Sequence, residues 1–473
     1  MKDLTQGKEA TVIFKFAMPM LIGNIFQQLY NMVDSIVVGQ YLGREALAAV
    51  GASFPIIFSI CAMVMGLTIG GSVVISQYFG ARQYEKVRRA SDTINITLFV
   101  SGIVVSLAGW FFSEDLFRLI NLPEEIIPDA TDYFSTLILT SAIPMFCYNG
   151  VAAVLRGIGN SKTPLYFLIL STILNAGLDY LFVAEFGWGI KGAAWATAIA
   201  TLLSWWATLA YLYRTRSLVR LSLRNLVFDK TVFRESMRIG LPSGVQQTFV
   251  GLGGLALMVI VNRFGVNTIA AYTAAGRVDM FVAMPAMNFA AALSGFVGQN
   301  IGAGRYERIK RGLNATLIMT NITCVFTTLV MLLFGKQIMH LFVDTGSADS
   351  MEVIRIGYEY LVIICSFYFL FCTMFTLNGV MRGAGATLVP MLFTLLGLWF
   401  VRVPVAYFLS QTKMAETGIW WSIVVGWVVA LAGAYIYYKS GKWMKKDVLH
   451  HRRHAPEEDV ENPDVSKDFT ARI

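Results

Sequence analysis

The sequence predicts an all-α polytopic membrane protein. It is expected to hold twelve transmembrane helices in two six-helix lobes, related by a pseudo-two-fold axis along the membrane normal. Three observations predict this: the composition, a succession of long apolar segments, and an internal duplication. Of 473 residues, 56% are hydrophobic and only 14% are charged, against about 25% charged in a soluble domain. The mean hydropathy is +0.59. The net charge of +8 points to basic cytoplasmic loops rather than to nucleic acid, because the basic residues cluster by topology.

A spanning helix needs about 20 mainly apolar residues. Twelve segments meet that length, near 13–38, 52–76, 91–112, 131–154, 164–185, 190–213, 238–262, 275–298, 313–334, 358–381, 387–410 and 417–438. They are too long, and alternate too little, for a β-barrel. Span 1 carries Pro19 and a polar stripe of Asn24, Gln27, Asn31 and Asp34, spaced 3, 4 and 3 residues apart, which places all four on one helical face. Span 4 has Met145 and Phe146 beside Pro144. Span 5 carries Asn175 and Asp179 at i and i+4, hence on one face. Span 6 adds Thr197 and Thr201 at the same spacing. Span 7 contains Gly251, Gly253 and Gly254, which permit close helix contact or bending. Span 8 gathers Met280, Phe281, Met284, Met287 and Phe289 around Pro285. Span 11 holds Arg402, a basic residue well inside a span, expected to pair with an acceptor or to snorkel outward.

Lys and Arg fix the expected orientation. With the N-terminus in the cytoplasm, 29 of the 38 basic residues fall at the cytoplasmic ends, Arg156 and Arg382 among them, both assigned to loops. The opposite loops are acidic: Glu114, Asp115, Glu124, Glu125 and Asp129 in one, Asp344, Asp349 and Glu352 in its counterpart. Both termini are therefore expected in the cytoplasm and the chain in the inner (plasma) membrane. The division expected is an N-terminal lobe over 1–213, a basic linker over 214–237, a C-terminal lobe over 238–440 and a charged tail over 441–473, disordered from about His450. The first apolar segment runs on without a small-residue cleavage site, so no cleavable signal peptide is expected.

The chain repeats itself. Gln77, Gly80, Ala81, Tyr84 and Glu85 recur as Gln299, Gly302, Ala303, Tyr306 and Glu307. Arg156, Gly157 and Gly159 before Pro164 recur as Arg382, Gly383 and Gly385 before Pro390. Pro19 aligns with Pro242, and Gly43, Ala48 and Ala49 with Gly265, Ala270 and Ala271. Each repeat holds six spans. Six is even, so both halves enter the membrane from the same side, a plan in which transporter sites lie near the midplane of the bundle.

Asp34 and Asp179 stand out because they lie inside spans, where an aspartate costs about 2.5–3.5 kcal/mol on insertion scales. At a rise of about 1.5 Å per residue, Asp34, Asp179 and Thr197 each lie roughly 6–10 Å below the outer end of their helix, with Asn175 one turn deeper. Four oxygen-bearing side chains are thus expected to converge in the outer half of the first lobe. Such a group suits a proton site or a hard-cation site for Na+. Pro19 removes a backbone hydrogen bond from span 1 and allows a kink. A helix with both a hinge and an ion-binding carboxylate can couple loading to bending.

Other chemistries find little support. Cys61, Cys147, Cys324, Cys365 and Cys372 lie in apolar stretches without metal-ligand spacing, and are expected as small buried hydrophobes. His340 and the tail residues His450, His451 and His454 form no H-E-x-x-H motif. There is no Walker A motif. No enzyme activity, catalytic residue or cofactor is expected. The metal expected is at most Na+, at the Asp34/Asp179 site. Asn31, Gln27, Met145, Gln246, Met284 and Met287 are candidates for a substrate cavity, since Met suits adaptable pockets.

At these residues the sequence resembles the multidrug and toxic compound extrusion (MATE) family, bacterial type. The resemblance covers roughly residues 10–440. It rests on Pro19, on Tyr30, Asn31, Asp34 and Gly39, on Leu47, Ala48, Ala49 and Gly51, and on Asn175 with Asp179. The two repeated loop motifs extend it. It implies two six-helix lobes around a central cavity, and exchange of H+ or Na+ for lipophilic, often cationic, organic compounds by alternating access. It implies a cation site at Asp34, Asn175, Asp179 and Thr197, and a bending proline at Pro19. One branch of the family carries an acidic pair on spans 7 and 10, where this chain has Gln246, Gln247 and Thr248, and Phe371, Cys372 and Thr373. The second lobe is therefore expected to offer substrate contacts rather than an ion site. The alternatives weighed are a flippase for a lipid-linked saccharide, or an exporter of another organic solute. The partners expected are a small organic substrate and the lipid bilayer. No obligate protein partner is expected, because one chain already holds both lobes and a monomer suffices.

Overall fold

The computed structural model describes residues 3–120, 122–215, 226–342 and 350–449. Asp344, Asp349, residues 216–225 of the basic linker, and the tail from His450, with His451 and His454, lie outside the described residues. Among those described, every regular element is helical: α1 Glu9–Tyr41, α2 Gly43–Gly80, α3 Tyr84–Phe111, α4 Ser113–Leu119, α5 Ile127–Gly157, α6 Lys162–Asp179, α7 Gly189–Arg214, α8 Lys230–Val261, α9 Val266–Gly302, α10 Tyr306–His340, α11 Ser350–Ser366, α12 Tyr368–Gly383, α13 Leu388–Leu395, α14 Val403–Ser410 and α15 Ala415–Lys439. Eleven helical spans are long and apolar enough to cross a membrane, and α11 with α12 forms a bent pair that makes a twelfth.

Several helices outrun the apolar stretches that predicted them. The sequence places span 2 at 52–76, but α2 runs from Gly43 to Gly80. Helix propagation adds one backbone hydrogen bond per residue and does not stop where hydropathy falls. The tenth span, expected as one helix over 358–381, turns by 51° between α11 and α12. At the turn the ladder tightens: Phe367 N–H donates to Ile364 O at 3.2 Å and Leu370 N–H to Phe367 O at 3.0 Å, a three-residue spacing in place of four. Spans 5 and 11 each contain a π-helical stretch, Tyr180–Glu185 after α6 and Leu396–Arg402 after α13. Such wide turns inside a helix are frequent at functional sites.

Arg156 and Arg382 are not in loops. Each occupies the last turn of its helix, α5 and α12. The two helices end identically. Gly159 N–H donates to Arg156 O at 3.0 Å and Asn160 N–H to Leu155 O at 2.8 Å, and Gly385 N–H to Arg382 O at 2.9 Å and Ala386 N–H to Met381 O at 2.9 Å. Gly159 and Gly385 have φ of +82° and +83°, the left-handed conformation that glycine adopts without a side-chain clash. The repeated Arg-Gly-x-Gly sequence is thus a repeated helix stop.

The packing falls mainly into halves. One cluster joins Leu257, Ala271, Met331, Ile364 and Trp420. Another joins Val74, Tyr78, Leu98, Phe146 and Val154. A third crosses between halves, seating Leu4, Ile13, Phe16 and Ala17 among Phe289, Leu293, Phe296 and Val380. The start of α1 therefore belongs to the second half's core. Close packing, rather than apolar burial alone, holds such helices in lipid, because the tails are as apolar as the side chains. Helices α2 and α8 show this directly. A methyl group on Gly66 would stand 2.6 Å from Gly244 Cα, and one on Gly240 would stand 2.6 Å from Gly66 O. On the outside, α10 exposes Ile318, Ile322, Val325, Phe326, Leu329 and Leu333, an apolar face suited to lipid.

Candidate functional site

The polar residues of spans 1, 5 and 6 meet in the first half. Tyr30 Oη donates to Thr197 Oγ1 at 3.0 Å, and Asn175 Nδ2 donates to the same oxygen at 3.3 Å. Thr201 Oγ1 donates to the Thr197 carbonyl at 2.8 Å. Asn175 and Asp179 are fully buried. Asp34 acts electrostatically on Asp179, and both act on Tyr30 and on the buried Tyr133. Among the described residues neither carboxylate has an ion pair to a basic group. Asp34 Oδ1, Asn175 Oδ1 and both Asp179 oxygens are buried and none meets full hydrogen-bond geometry, the Asn175 amide being the polar group that acts on Asp179.

This is an acceptor-rich cage. A buried acceptor left unmade costs about 1–3 kcal/mol, and two carboxylates without a counter-cation add to that cost. A proton or a hard monovalent cation would relieve both, since every oxygen that faces the centre is an acceptor. The first residue of the π-helical stretch, Tyr180, follows Asp179 directly, so Asp179 leaves α6 where the helical register changes.

A second polar system sits where the halves meet, at the end that holds Leu4 and Val448. Gln77 Nε2 donates to Gly383 O at 2.9 Å and its Oε1 accepts from Val448 N–H at 2.8 Å. Gln299 Nε2 donates to Gly157 O at 2.9 Å and its Oε1 accepts from Leu4 N–H at 3.0 Å. Arg305 adds a bond to Thr5 O and Arg308 one to Gly7 O. Beside this seal lies a small open-mouthed cavity between the halves, lined by residues of α1, α2 and α9 and by Arg156 and Arg382.

The MatE family model matches residues 19–181 and 242–408. The chain belongs to the MATE family of multidrug transporters. The two matched stretches open at Pro19 and Pro242, the aligned prolines of the repeat. The chain is similar to the probable multidrug resistance protein YoeA of Bacillus subtilis (strain 168), with 32% identity over 458 residues, covering 94% of this chain and 97% of that protein. Among solved structures it is similar to a MOP superfamily transporter from Pyrococcus furiosus, with a TM-score of 0.87 and 25% identity over 94% of this chain and 98% of that one. It is also similar to a multidrug resistance MATE family transporter in an outward-facing conformation, with a TM-score of 0.86 and 25% identity over 94% of this chain and 99% of that one.

Within this MATE chain the other residues singled out from sequence are scattered. Pro19 lies inside α1, beside the buried Ala17. Gln27 and Asn31 are exposed, and Asn31 Nδ2 donates to Gln28 Oε1 at 3.3 Å. Gln246 Nε2 donates to Thr394 Oγ1 at 2.8 Å. Met284 is buried, Met145 packs against the first-half core, and Met287 is exposed. None of these seven lines the cavity that holds the two arginines.

The second half does not repeat the cage. Carrying the Pro19–Pro242 alignment forward fifteen residues sets Leu257 opposite Asp34, and Leu257 is fully buried in an apolar cluster. The charge there lies elsewhere, on Asp279 of α9, which sequence reasoning passed over. Tyr360, Tyr368 and Arg402 surround Asp279, and the buried Asp279 Oδ1 and Arg402 Nε have no hydrogen-bond partner. The signal was present: Asp279 falls inside the span expected at 275–298. Arg402 acts on Asp279 electrostatically, and among the described residues the two form no direct ion pair.

Proposed function

We propose that this chain is a secondary antiporter that exports lipophilic, often cationic, organic compounds in exchange for H+ or Na+. The observation that carries the reading is the cage of Asp34, Asn175, Asp179 and Thr197, in which four buried acceptor oxygens of two carboxylates and an amide are gathered. An ion entering from outside would neutralise the two carboxylates. Helix α1 carries Asp34 in its last third and Pro19 in its first third, so a change at the cage can be passed on as a bend. The start of α1 is rooted in the second half, and bending it would alter the cleft between halves. Export follows if loading lowers the affinity of that cleft for the solute.

In this reading residues 1–213 and 238–440 are the two lobes and 214–237 is their linker. The termini lie in the cytoplasm, as the basic residues direct, and the seal at Gln77 and Gln299 closes the cytoplasmic side. The chain works as a monomer in the plasma membrane.

The test uses inverted vesicles and a fluorescent cationic dye, with a proton gradient and then a sodium gradient imposed. Dye uptake driven by one of them, and lost in Asp34→Asn, is the expected result and names the ion. No uptake under either gradient by folded wild-type protein would overturn the reading.

A further inference from the structure

Arg156 and Arg382 come from opposite halves, at equivalent places in the repeat. Both line the same cavity, together with Ser72 of α2 and Ser294 of α9. No Asp or Glu lines it. Among the described residues neither guanidinium has an ion pair or a hydrogen-bond acceptor. Each guanidinium carries five N–H donors in a rigid fork matched to carboxylate and phosphate. Two like charges withdrawn from water into one cavity repel each other, and each pays a desolvation cost of several kcal/mol unless paired. An arginine cannot escape that cost by losing its proton. An anion bound between the two guanidiniums would remove the repulsion and fill the donors.

We propose that Arg156 and Arg382, with Ser72 and Ser294, form an oxyanion-binding site at the closed end of the cleft, one arginine from each half. It takes a carboxylate or phosphate group, carried by an amphiphilic solute, by a phospholipid headgroup or by a small free oxyanion. Because the ligand bridges both halves, it binds best when this end is closed. The site is separate from the acceptor cage of Asp34 and Asp179 and of opposite polarity.

The experiment measures equilibrium binding to full-length protein in neutral detergent micelles by fluorescence anisotropy. The probes are rhodamine B and its ethyl ester, which differ only in the free carboxylate. Wild type is expected to bind the acid at least about ten-fold more tightly than the ester, the effect of one charge-assisted pair. Arg156→Gln/Arg382→Gln is expected to bring the acid down to the ester, with ester binding unchanged as the control for folding. Arg156→Lys/Arg382→Lys keeps the charge and should retain part of the preference. Competition then separates the sources. Displacement by sodium phosphate at constant ionic strength identifies a small oxyanion. Displacement in nanodiscs of phosphatidylglycerol but not phosphatidylcholine identifies a headgroup, and displacement by neither identifies the solute's own acid. Equal affinities for acid and ester, no binding of the acid, or a preference that survives in the Gln double variant would overturn the proposal. No gradient is involved, so the result is independent of whether dye flux is coupled to an ion.

Discussion

Gln77 and Gln299 hold equivalent places in the repeat, and each bonds to the glycine that ends a helix of the opposite half: Gln77 to Gly383 and Gln299 to Gly157, both at 2.9 Å. Each also holds a terminal segment through its side-chain oxygen, Val448 for Gln77 and Leu4 for Gln299. Both side chains are fully buried. The duplication thus makes a clasp in which each half contributes both the hook and the eye. The glycines serve it as well. A methyl group on Gly80 would run into Gln299 O, and one on Gly302 into Gln77 O, so α2 and α9 come close enough only because both positions lack side chains.

Opening this clasp should shift the protein away from the closed arrangement. Gln77→Ala and Gln299→Ala each remove two buried bonds, about 1–3 kcal/mol in all at the roughly 1 kcal/mol typical of a bond. The distance between spin labels at Glu85 and Glu307, in the two equivalent loops, is expected to lengthen in part of the population. An unchanged distance distribution in the double variant would show that the clasp does not set the equilibrium.

The acceptor cage makes a sharper demand. Asp34→Asn and Asp179→Asn keep the shape and remove one charge each. Gradient-driven dye uptake should fall by at least about ten-fold, the equivalent of 1.4 kcal/mol, while the protein elutes as a single species by size exclusion. Wild-type uptake in both variants would place the coupling ion elsewhere.

Tyr30 tests the cage from its rim. Its hydroxyl donates to Thr197 at 3.0 Å and orients that oxygen. Tyr30→Phe deletes the bond, worth about 0.5–1.5 kcal/mol. The half-saturating concentration of the driving ion should rise by roughly two- to ten-fold, with the maximal rate nearly kept. A loss confined to the maximal rate would argue for a role in the movement rather than in ion binding.

Much of this was legible before any coordinates, for reasons that name its limits. Asp34, Asn175, Asp179 and Thr197 could be picked out because helical spacing and span depth are arithmetic on the sequence. Tyr30 was not separated from its neighbours, since a tyrosine on an apolar span is ordinary and only the contact with Thr197 distinguishes it. Asp279 was missed because it sits close to the start of its apolar window, where charge is cheap. Arg156 and Arg382 were read as loop residues because hydropathy ends before the helix does. The bend at Phe367 and the π-helical stretches leave no period of their own, being decided by how neighbouring helices pack.

The glycine seam between α2 and α8 gives a contrast within one residue type. At Gly70 an added Cβ would stand 2.8 Å from Gly240 N, whereas at Gly254 nothing lies within 4 Å. Gly70→Ala must push two backbones apart, an overpacking cost of about 1–3 kcal/mol. Gly254→Ala is expected to be neutral or to stabilise α8 by up to about 1 kcal/mol, since alanine loses less backbone freedom in a helix. Thermal unfolding in detergent should lower the midpoint for the first and leave or raise it for the second. Equal shifts would mean that the close approach of α2 and α8 contributes nothing to stability.

Asp279 and Arg402 call for a cycle rather than a single substitution. They are oppositely charged, half-buried in the second half with Asp279 Oδ1 and Arg402 Nε themselves enclosed, and gathered with Tyr360 and Tyr368. Removing one partner leaves the other as an uncompensated buried charge, at a cost of about 3–5 kcal/mol, whereas replacing both with apolar residues is often neutral. Asp279→Leu and Arg402→Leu should therefore each lower the unfolding midpoint steeply, and the double variant should recover most of the loss. If the recovered double variant also transports, the pair is structural, and the second half assists only by standing firm while the first half handles the ion. If it folds but no longer transports, this pair is a working part of the exchange cycle. If the double variant is as unstable as the sum of the two singles, the charges do not interact, and Arg402 must be balanced by another group.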